Sequence, residues 1–535
     1  MAWPSDFRER LRAGAVPIGL VLDVLKPLND EGVGIDGWFA CSDPALGGFG
    51  AVLLDPPPRL GSSGVTPQSW AYQEGAWSLV LHIPDETVVF PGGISGGPLL
   101  QYAARALRRG ALVRLSIGEL GTAREDYQPL KLGRLQSVRS TAPGLLEVTV
   151  WDLNTALRSR LTATGNLAED RVELFYSSVQ LDTVGSTAYT VGDGVLEITG
   201  GVTDRFLFED SMEGAVLVTG NSTTFWLTFT GTATSPDRLT GVSAAGQFGT
   251  TASDASSGNQ IQAQVLLEGH PLNILRSILT STGTAGANGG RDLYPRPWGL
   301  GLPEALLDVE AWRTARLALT LANGTLPWRL IEGAEQPDPA SWIAERFNPG
   351  GIWIAVREGQ IVPCYARDPN QRLRYDGSVV EADIERSTPP FVEWYPQEVP
   401  LAYHTSIVQS SGGSTTDTSN ISTLPCDEEI AHDLSSSIIR VTNEGGVRSK
   451  ISEGLAPWDH FMPEYLTVRL VGIRSYAPGD VLLVTLPSIA GRLDGTRQGY
   501  NERPCMVVRE SMDLATNTTT LTLAALPTEL SEDSG

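Results

Sequence analysis

The stretch that most limits the fold of this chain runs from 258 to 318. After Gly258 it reads "NQIQAQVLLEGHPLNILRSILTSTG". From Gln260 the residues alternate and then turn wholly apolar through Leu267, the pattern of a strand. Gly269, His270 and Pro271 stop that run. Leu272, Leu275, Ile278 and Leu279 then recur at helical spacing, with Pro271 suited to a first turn that needs no N–H from it. A Ser/Thr/Gly/Ala/Asn loop from Thr280 to Gly290 ends the helix. A second amphipathic helix is expected from about Pro303, with Leu306, Leu307, Val309, Leu317 and Leu319 as its apolar positions.

At 535 residues the chain has room for three or four domains, each with its own core. Its 57 glycines and 35 prolines, among abundant Thr and Ser, favour many short strands joined by turns. The expected fold class is mainly β with some α, as an α+β multidomain chain. The formal charge of −23 repels rather than attracts DNA or an anionic membrane. Cys41, Cys364, Cys426 and Cys505 are scattered and form no C-x-x-C pair, so neither structural zinc nor an oxidising compartment is indicated. No apolar run approaches the roughly 18 to 20 residues that span a bilayer. The start places charges where a secretory signal would have its apolar core.

Along the chain, Ser5 is read as the N-cap of a short helix that Gly14 ends. The segment at 97–110, "GPLLQYAARALRRG", has Leu99, Leu100, Ala103 and Leu107 on one helical face. Strands at Ala111–Ile117, Leu130–Ser137 and Leu145–Trp151 would form a meander. From Leu174 to Asn259 the composition shifts to Thr, Ser, Gly and Val, in short strands joined by Gly turns. A hairpin is expected to turn at Glu358 and Gly359, and 412–420 is a polar linker. The domains are set at 1–170 (first β-barrel), 171–260 (inserted β module), 261–385 (α+β middle) and 386–535 (β-rich, contributing to a second barrel).

Gly93, Ser95 and Gly97 make a G-x-S-x-G between a strand and a helix pattern, the setting of a nucleophile elbow. Pro91 interrupts that strand, no HGGG-like loop precedes it, and nothing downstream alternates strand with helix. A plain Gly-rich turn is the favoured reading. "CDEEIAHD" would place Cys426, Glu429 and His432 on one face if helical; it is half of a di-iron pattern with no second half, and a solvated acidic turn is favoured. No P-loop, H-E-x-x-H or dinucleotide fingerprint is present. Trp298, Trp312, Trp328, Trp342, Trp353 and Trp394 crowd one region, read as core before sugar-stacking surface. Neither a catalytic residue nor a metal or other cofactor is expected.

The order "PLNILRSILTSTG", Gly-rich loop, "WGLGLPEALLDV" resembles the middle of baseplate or tail-tip hub proteins of long-tailed, siphovirus-like bacteriophages. "LKLGRLQSV" followed by a strand ending in Asp152 is similar to their first barrel, and "YAPGDVLLV" with "TNTTTLTL" to their C-terminal segment. The Thr/Gly-rich course resembles a β module inserted in phage tail proteins, although Ala244 and Ala245 stand where Arg is usual and 254–257 lacks the usual His. The resemblance implies a structural virion protein, assembled in the host cytoplasm, that closes the tail tube as a homotrimer. It also implies contacts with distal-tail, tube, tape-measure and central-fibre or receptor-binding proteins, DNA passing unbound through the lumen, and no stable membrane insertion. Leu272, Leu275, Ile278 and Leu279 are the candidate structural interface. The alternative is a cell-surface glycan-binding or carbohydrate- or ester-hydrolysing protein, acting through Ser95 or a carboxylate pair.

Overall fold

A computed structural model describes residues 3–13, 17–28, 32–42, 52–55, 60–67, 69–82, 107, 110–152, 181–199, 214–233, 235–243, 252–280, 300, 302–321, 328–332, 339–371, 375–393, 404–408, 429–434, 444–460, 463–489 and 499–526. Most of the 97–110 pattern, Ser95, Trp298, Trp394, Cys426 and the 412–420 linker lie outside them. Strands predominate and helices are few, in several mostly antiparallel sheets. Among the described residues no helix is long and apolar enough to cross a membrane.

Helix α1 (Ser5–Arg12) begins one residue earlier than read, with Pro4 at the N-cap. Ser5 is thus its first helical residue, and no side chain caps the turn. Strands β1 (Ile18–Leu28), β2 (Gly32–Cys41) and β3 (Val52–Asp55) follow. The short pair β4 (Ser63–Thr66) and β5 (Ala71–Glu74) comes next, and then β6 (Trp77–His82). The meander is present as β7 (Leu112–Glu119), β8 (Gln128–Ala142) and β9 (Leu145–Asp152). Seven of these strands close a barrel in the order β1-β2-β3-β6-β9-β8-β7. Alternation explains its filling: Leu20, Leu22, Leu79, Leu81, Leu115, Ile117, Val148 and Val150 share one core cluster. Gly19 pairs with Gly118 across β1 and β7, and a Cβ on Gly118 would come within 2.7 Å of the Tyr127 ring that packs there. Phe7 and Leu11 of α1 join this core, as do Ile473, Met512 and Leu514 from the far end of the chain.

The Thr/Gly-rich region forms β10 (Leu181–Thr183), β11 (Val195–Glu197), β12 (Gly214–Thr219), β13 (Thr224–Phe229), β14 (Gly231–Ala233) and β15 (Arg238–Thr240). Among the described residues, its core draws on residues between Val184 and Ile261. The pivotal strand β16 (Gln260–Gly269) belongs to two neighbourhoods. Its first half pairs with β10 and β12, and Val265 to Gly269 pair with β17 (Trp328–Glu332). That change of partner is where the sequence switches from alternating to apolar.

Helix α2 (Pro271–Thr280) buries Leu272, Leu275, Ile278 and Leu279, each 1% exposed or less. All four candidate interface residues belong to this chain's own core cluster. The next helix departs from expectation. A 3-10 turn covers Glu304–Leu306, and α3 (Val309–Ala318) starts only after Asp308, whose carboxylate caps it by accepting from the Ala311 N–H. Trp312 and Ala315 face inward, leaving Val309 and Leu317 54% and 67% exposed. Hydropathy misplaced the face because one indole buries more area than either of those aliphatic side chains taken singly. Helix α4 (Pro339–Phe347) then leads into the hairpin β18 (Ile352–Arg357) and β19 (Gln360–Tyr365). It turns at Glu358 and Gly359, with φ of 51° and 64°, the left-handed pair of a two-residue hairpin turn. Trp312, Trp328, Trp342 and Trp353 are all core residues.

The last third contains β20 (Gly377–Val380), β21 (Phe391–Glu393), β22 (His404–Val408), β23 (Glu429–Asp433), α5 (Glu444–His460), β24 (Glu464–Val471), β25 (Val481–Leu486), β26 (Tyr500–Asp513) and β27 (Thr518–Ala525). The sheet runs β20-β25-β26-β27-β24-β21. Its two end strands are consecutive in the chain. Between them Ile384 bridges Leu470 and the Glu385 N–H donates to the Arg469 carbonyl, so 377–393 pairs with β25 at one end and with β24 at the other. Pairing thus returns on itself through a single segment. Val379, Leu466, Val484 and Leu523 fill the interior. The "CDEEIAHD" segment is a correction: Glu429 to Asp433 is a strand, so the helical spacing that would gather its residues on one face does not apply.

Candidate functional site

The rings meet at a junction assembled from three segments far apart in sequence. The β4–β5 hairpin leaves the first barrel and pairs with the terminal sheet, Ser63 and Gly64 against Glu510 and Arg509. It carries Trp70, wholly buried, with φ of 51°. The Trp70 indole stacks on Trp353 at 5.3 Å and 14°, and meets Trp458 edge-on at 5.6 Å. Trp353 donates to the Pro478 carbonyl at 3.1 Å and Trp458 to the Arg367 carbonyl at 2.9 Å. A second pin is the ion pair of Lys131 on β8 with Glu510 on β26, 3.4 Å apart and 2% and 1% exposed. Glu510 also accepts from the Tyr476 N–H at 2.7 Å, while burial pushes its carboxyl up.

Beside the indoles lies a cleft of about 800 Å³ between α1, α3, the β18–β19 hairpin and the 473–480 loop. Its floor is an ionic web. Arg357 reaches Asp480 at 2.8 Å and Asp308 at 3.5 Å, and Arg367 reaches Asp376 at 2.8 Å. Asp480 beside it holds Arg357 charged, above the ordinary guanidinium value. Burial pushes the Asp480 carboxyl up to about 7 against the pull of Arg357, and raises the Cys364 thiol as well. At the N-terminal edge the buried Glu358 accepts from the Trp3 N–H at 2.9 Å and pairs with Arg8 at 2.6 Å, tying α1 to the hairpin tip. Each carboxylate here is committed to an arginine or a backbone N–H. The arrangement locks elements together.

The "YAPGDV" motif stands at the centre of this lock. Pro478 supplies the carbonyl for Trp353, and a Cβ on Gly479, at φ 111°, would come within 2.8 Å of the Trp353 ring. Asp480 accepts from the Ala477 N–H at 2.8 Å and holds Arg357. The "WGLGLPEALLDV" motif is equally structural. Leu300 and Leu302 donate to the Ile278 and Leu279 carbonyls near the end of α2, each at 2.8 Å, and Asp308 both caps α3 and meets Arg357. His432 lies buried and 2.9 Å from Asp459 of α5, a pair that fastens β23 to that helix. Sequence reasoning singled out neither Trp70 nor Glu510, since both owe their role to contacts some 280 to 450 residues away.

His270 is the titratable switch of the middle region. Its Nδ1 accepts from the Leu272 N–H at 3.2 Å, capping the start of α2. Burial, with Arg316 nearby, lowers its pKa from 6.5 to about 4. The unfolded imidazole gains a proton near pH 6.5 and the folded one only near pH 4, so the stabilisation is full above 6.5 and drains as pH falls through that window. The expected loss is about 3 kcal/mol by pH 4. His270→Asn keeps an acceptor that does not titrate. Urea unfolding at pH 7 and pH 4.5 should show a smaller acid loss in His270→Asn than in the wild type; identical losses would refute the assignment.

No protein-family model matches the chain, and no curated protein matches it in sequence. Solved structures similar to it include the 43 kDa tail protein of prophage MuSo2 from Shewanella oneidensis, 8% identical over 95% of this chain and 96% of that one, TM-score 0.34. Another is the tail protein from Neisseria meningitidis MC58, 10% identical over 95% and 96%, TM-score 0.34. A third is the prophage tail protein gp18 from Listeria monocytogenes EGD-e, 8% identical over 94% of each chain, TM-score 0.31.

Proposed function

We propose that the chain is a structural protein of a phage tail, a baseplate hub that closes the tail tube and joins it to distal-tail and fibre components. The observation that carries this reading is that one chain holds a closed β-barrel and a terminal sheet whose two ends are joined through the single segment 377–393, clamped by the Trp70 cluster and the Lys131–Glu510 pair. Three such chains offer six rings, which reconciles a three-fold hub with the six-fold tube that the sequence resemblance implies. The hub-like motifs support it further, because "PLNILRSILTSTG" with "WGLGLPEALLDV" and "YAPGDV" all serve the framework between the rings. An overall charge of −23 suits a wall past which DNA slides without sticking. On this reading the partners are two further copies of the chain and the tube, tape-measure, distal-tail and fibre proteins.

Native mass spectrometry, together with particle averaging without imposed symmetry, tests the reading. Trimers that bind tube protein and occupy the tail tip are expected. A monomer at high concentration, or a six-fold ring of whole chains, would defeat it.

A further inference from the structure

Where α1 meets the loop that follows β24, the wall of the cleft has donors to spare. Helix α1 brings Arg8 and Arg12 there, one turn apart, and the loop brings Arg474. The two segments touch: at Gly472, with φ of 83°, an added Cβ would come within 2.9 Å of the Arg12 Cα. Arg8 is paired with Glu358 at 2.6 Å. Arg474 is only 4% exposed and its Nη2 donates to Asp383 at 2.5 Å, yet its Nε and Nη1 are buried with no hydrogen-bond partner among the described residues. The half-buried Arg12 side chain makes no ion pair or hydrogen bond among those residues and acts on Asp383 only through space. Three guanidinium groups thus face two carboxylates, a local positive surplus in a chain of net charge −23.

We propose that this corner of the cleft binds a small oxyanion, a carboxylate or phosphate group, through Arg12 and Arg474. The orphaned atoms fix the kind of ligand. Besides those of Arg474, the cleft-lining atoms buried without a partner are Arg8 Nε, Arg367 Nε and the Tyr476 hydroxyl, all able to donate. Among the described residues no buried carboxylate oxygen of the cleft is in that state, because Asp308, Asp376 and Asp480 are taken up by Arg357 and Arg367. The complement is a group that supplies acceptors and brings no donors. A neutral acceptor would leave the surplus charge standing, whereas an oxyanion meets the charge and the N–H groups together, and its geometry matches the planar guanidinium fork. A cation would be repelled by the same groups. Arg474 is tethered by Asp383 before any ligand arrives, which limits the ordering that binding requires, and Arg12 at the rim is the group left to close on it. At about 800 Å³ the cleft has room for a small organic acid or a phosphate ester. The proposal does not depend on the tail reading.

Equilibrium dialysis of the full-length protein against labelled inorganic phosphate and labelled succinate, at an ionic strength fixed with sodium chloride, tests it and separates the two sources of the group. Saturable uptake of at least one of them is expected. Arg12→Met breaks no ion pair among the described residues, so the thermal melting curve should stay in place while affinity falls about tenfold, the effect of losing one hydrogen bond to a charged group. Arg474→Lys keeps a cation for Asp383 but loses the guanidinium fork, and should weaken uptake to a similar extent; if it proves poorly folded, Arg12→Met decides alone. No saturable uptake of either anion, or uptake that either substitution leaves unchanged in a folded protein, would overturn the proposal.

Discussion

Trp70→Ala is expected to cost about 3 to 5 kcal/mol and to loosen the two rings from each other, since it empties a wholly buried indole site at their meeting point. The loss is one of packing. The Trp70 Nε1 has no hydrogen-bond partner among the described residues, so nothing polar is orphaned when the ring is removed. What vanishes is the stack on Trp353 and the edge contact with Trp458, and with them the anchor that seats the β4–β5 hairpin against β26. Trp70→Phe keeps a ring and should cost less. Thermal unfolding checks the magnitude, and limited proteolysis checks the location: fragments dividing the first barrel from the terminal ring should appear in Trp70→Ala at temperatures where the wild type stays whole. A melting curve that coincides with the wild type would show that the indole cluster does not hold the junction.

How far these features could be read in advance depends on the range of the interaction behind each. Local chemistry was legible. The Glu358–Gly359 turn, the α2 stripe of Leu272, Leu275, Ile278 and Leu279, and the β7–β9 meander follow from turn residues and from periods of two and 3.6. Where two apolar sets competed for one helix, the pattern failed: Val309 and Leu317 looked inward-facing, but Trp312 sits between them and takes the core, leaving both exposed. "CDEEIAHD" misled for a related reason. Its spacing has meaning only in a helix, and the segment pairs as a strand with β22 while His432 finds Asp459 on α5. The junction left no local trace. Ser63 approaches Glu510 across 447 positions of sequence, and neither residue type nor spacing marks that pair. The motifs at 298–309 and 478–480 were visible as strings, but their purpose is clear only once Gly479 is seen beneath the Trp353 ring.

Lys131→Met should be as damaging as the loss of Trp70, for an electrostatic reason. The substitution keeps most of the aliphatic stem and removes only the ammonium, yet Glu510 is 1% exposed and is left as a buried carboxylate without its cation. Breaking a buried pair from one side costs about 3 to 5 kcal/mol, much more than the intact pair contributes over an apolar replacement. Two further measurements separate this cause from simple misfit. Adding Glu510→Gln should restore much of the loss, because the neutral amide still accepts from the Tyr476 N–H, as the carboxylate does at 2.7 Å. The deficit should also shrink in acid. With Lys131 absent, burial acts on Glu510 against only the Tyr476 N–H and the Ser63 hydroxyl and raises its folded pKa further above the ordinary 4.5, so the variant is least stable above that folded value and recovers as the pH falls through it and the carboxyl takes up a proton. Stability differences between Lys131→Met and the wild type, measured by urea unfolding at pH 8 and pH 5, should therefore narrow toward the lower pH. A difference independent of pH, with no rescue by Glu510→Gln, would mean that Lys131 serves as packing and that the charge on Glu510 is met elsewhere.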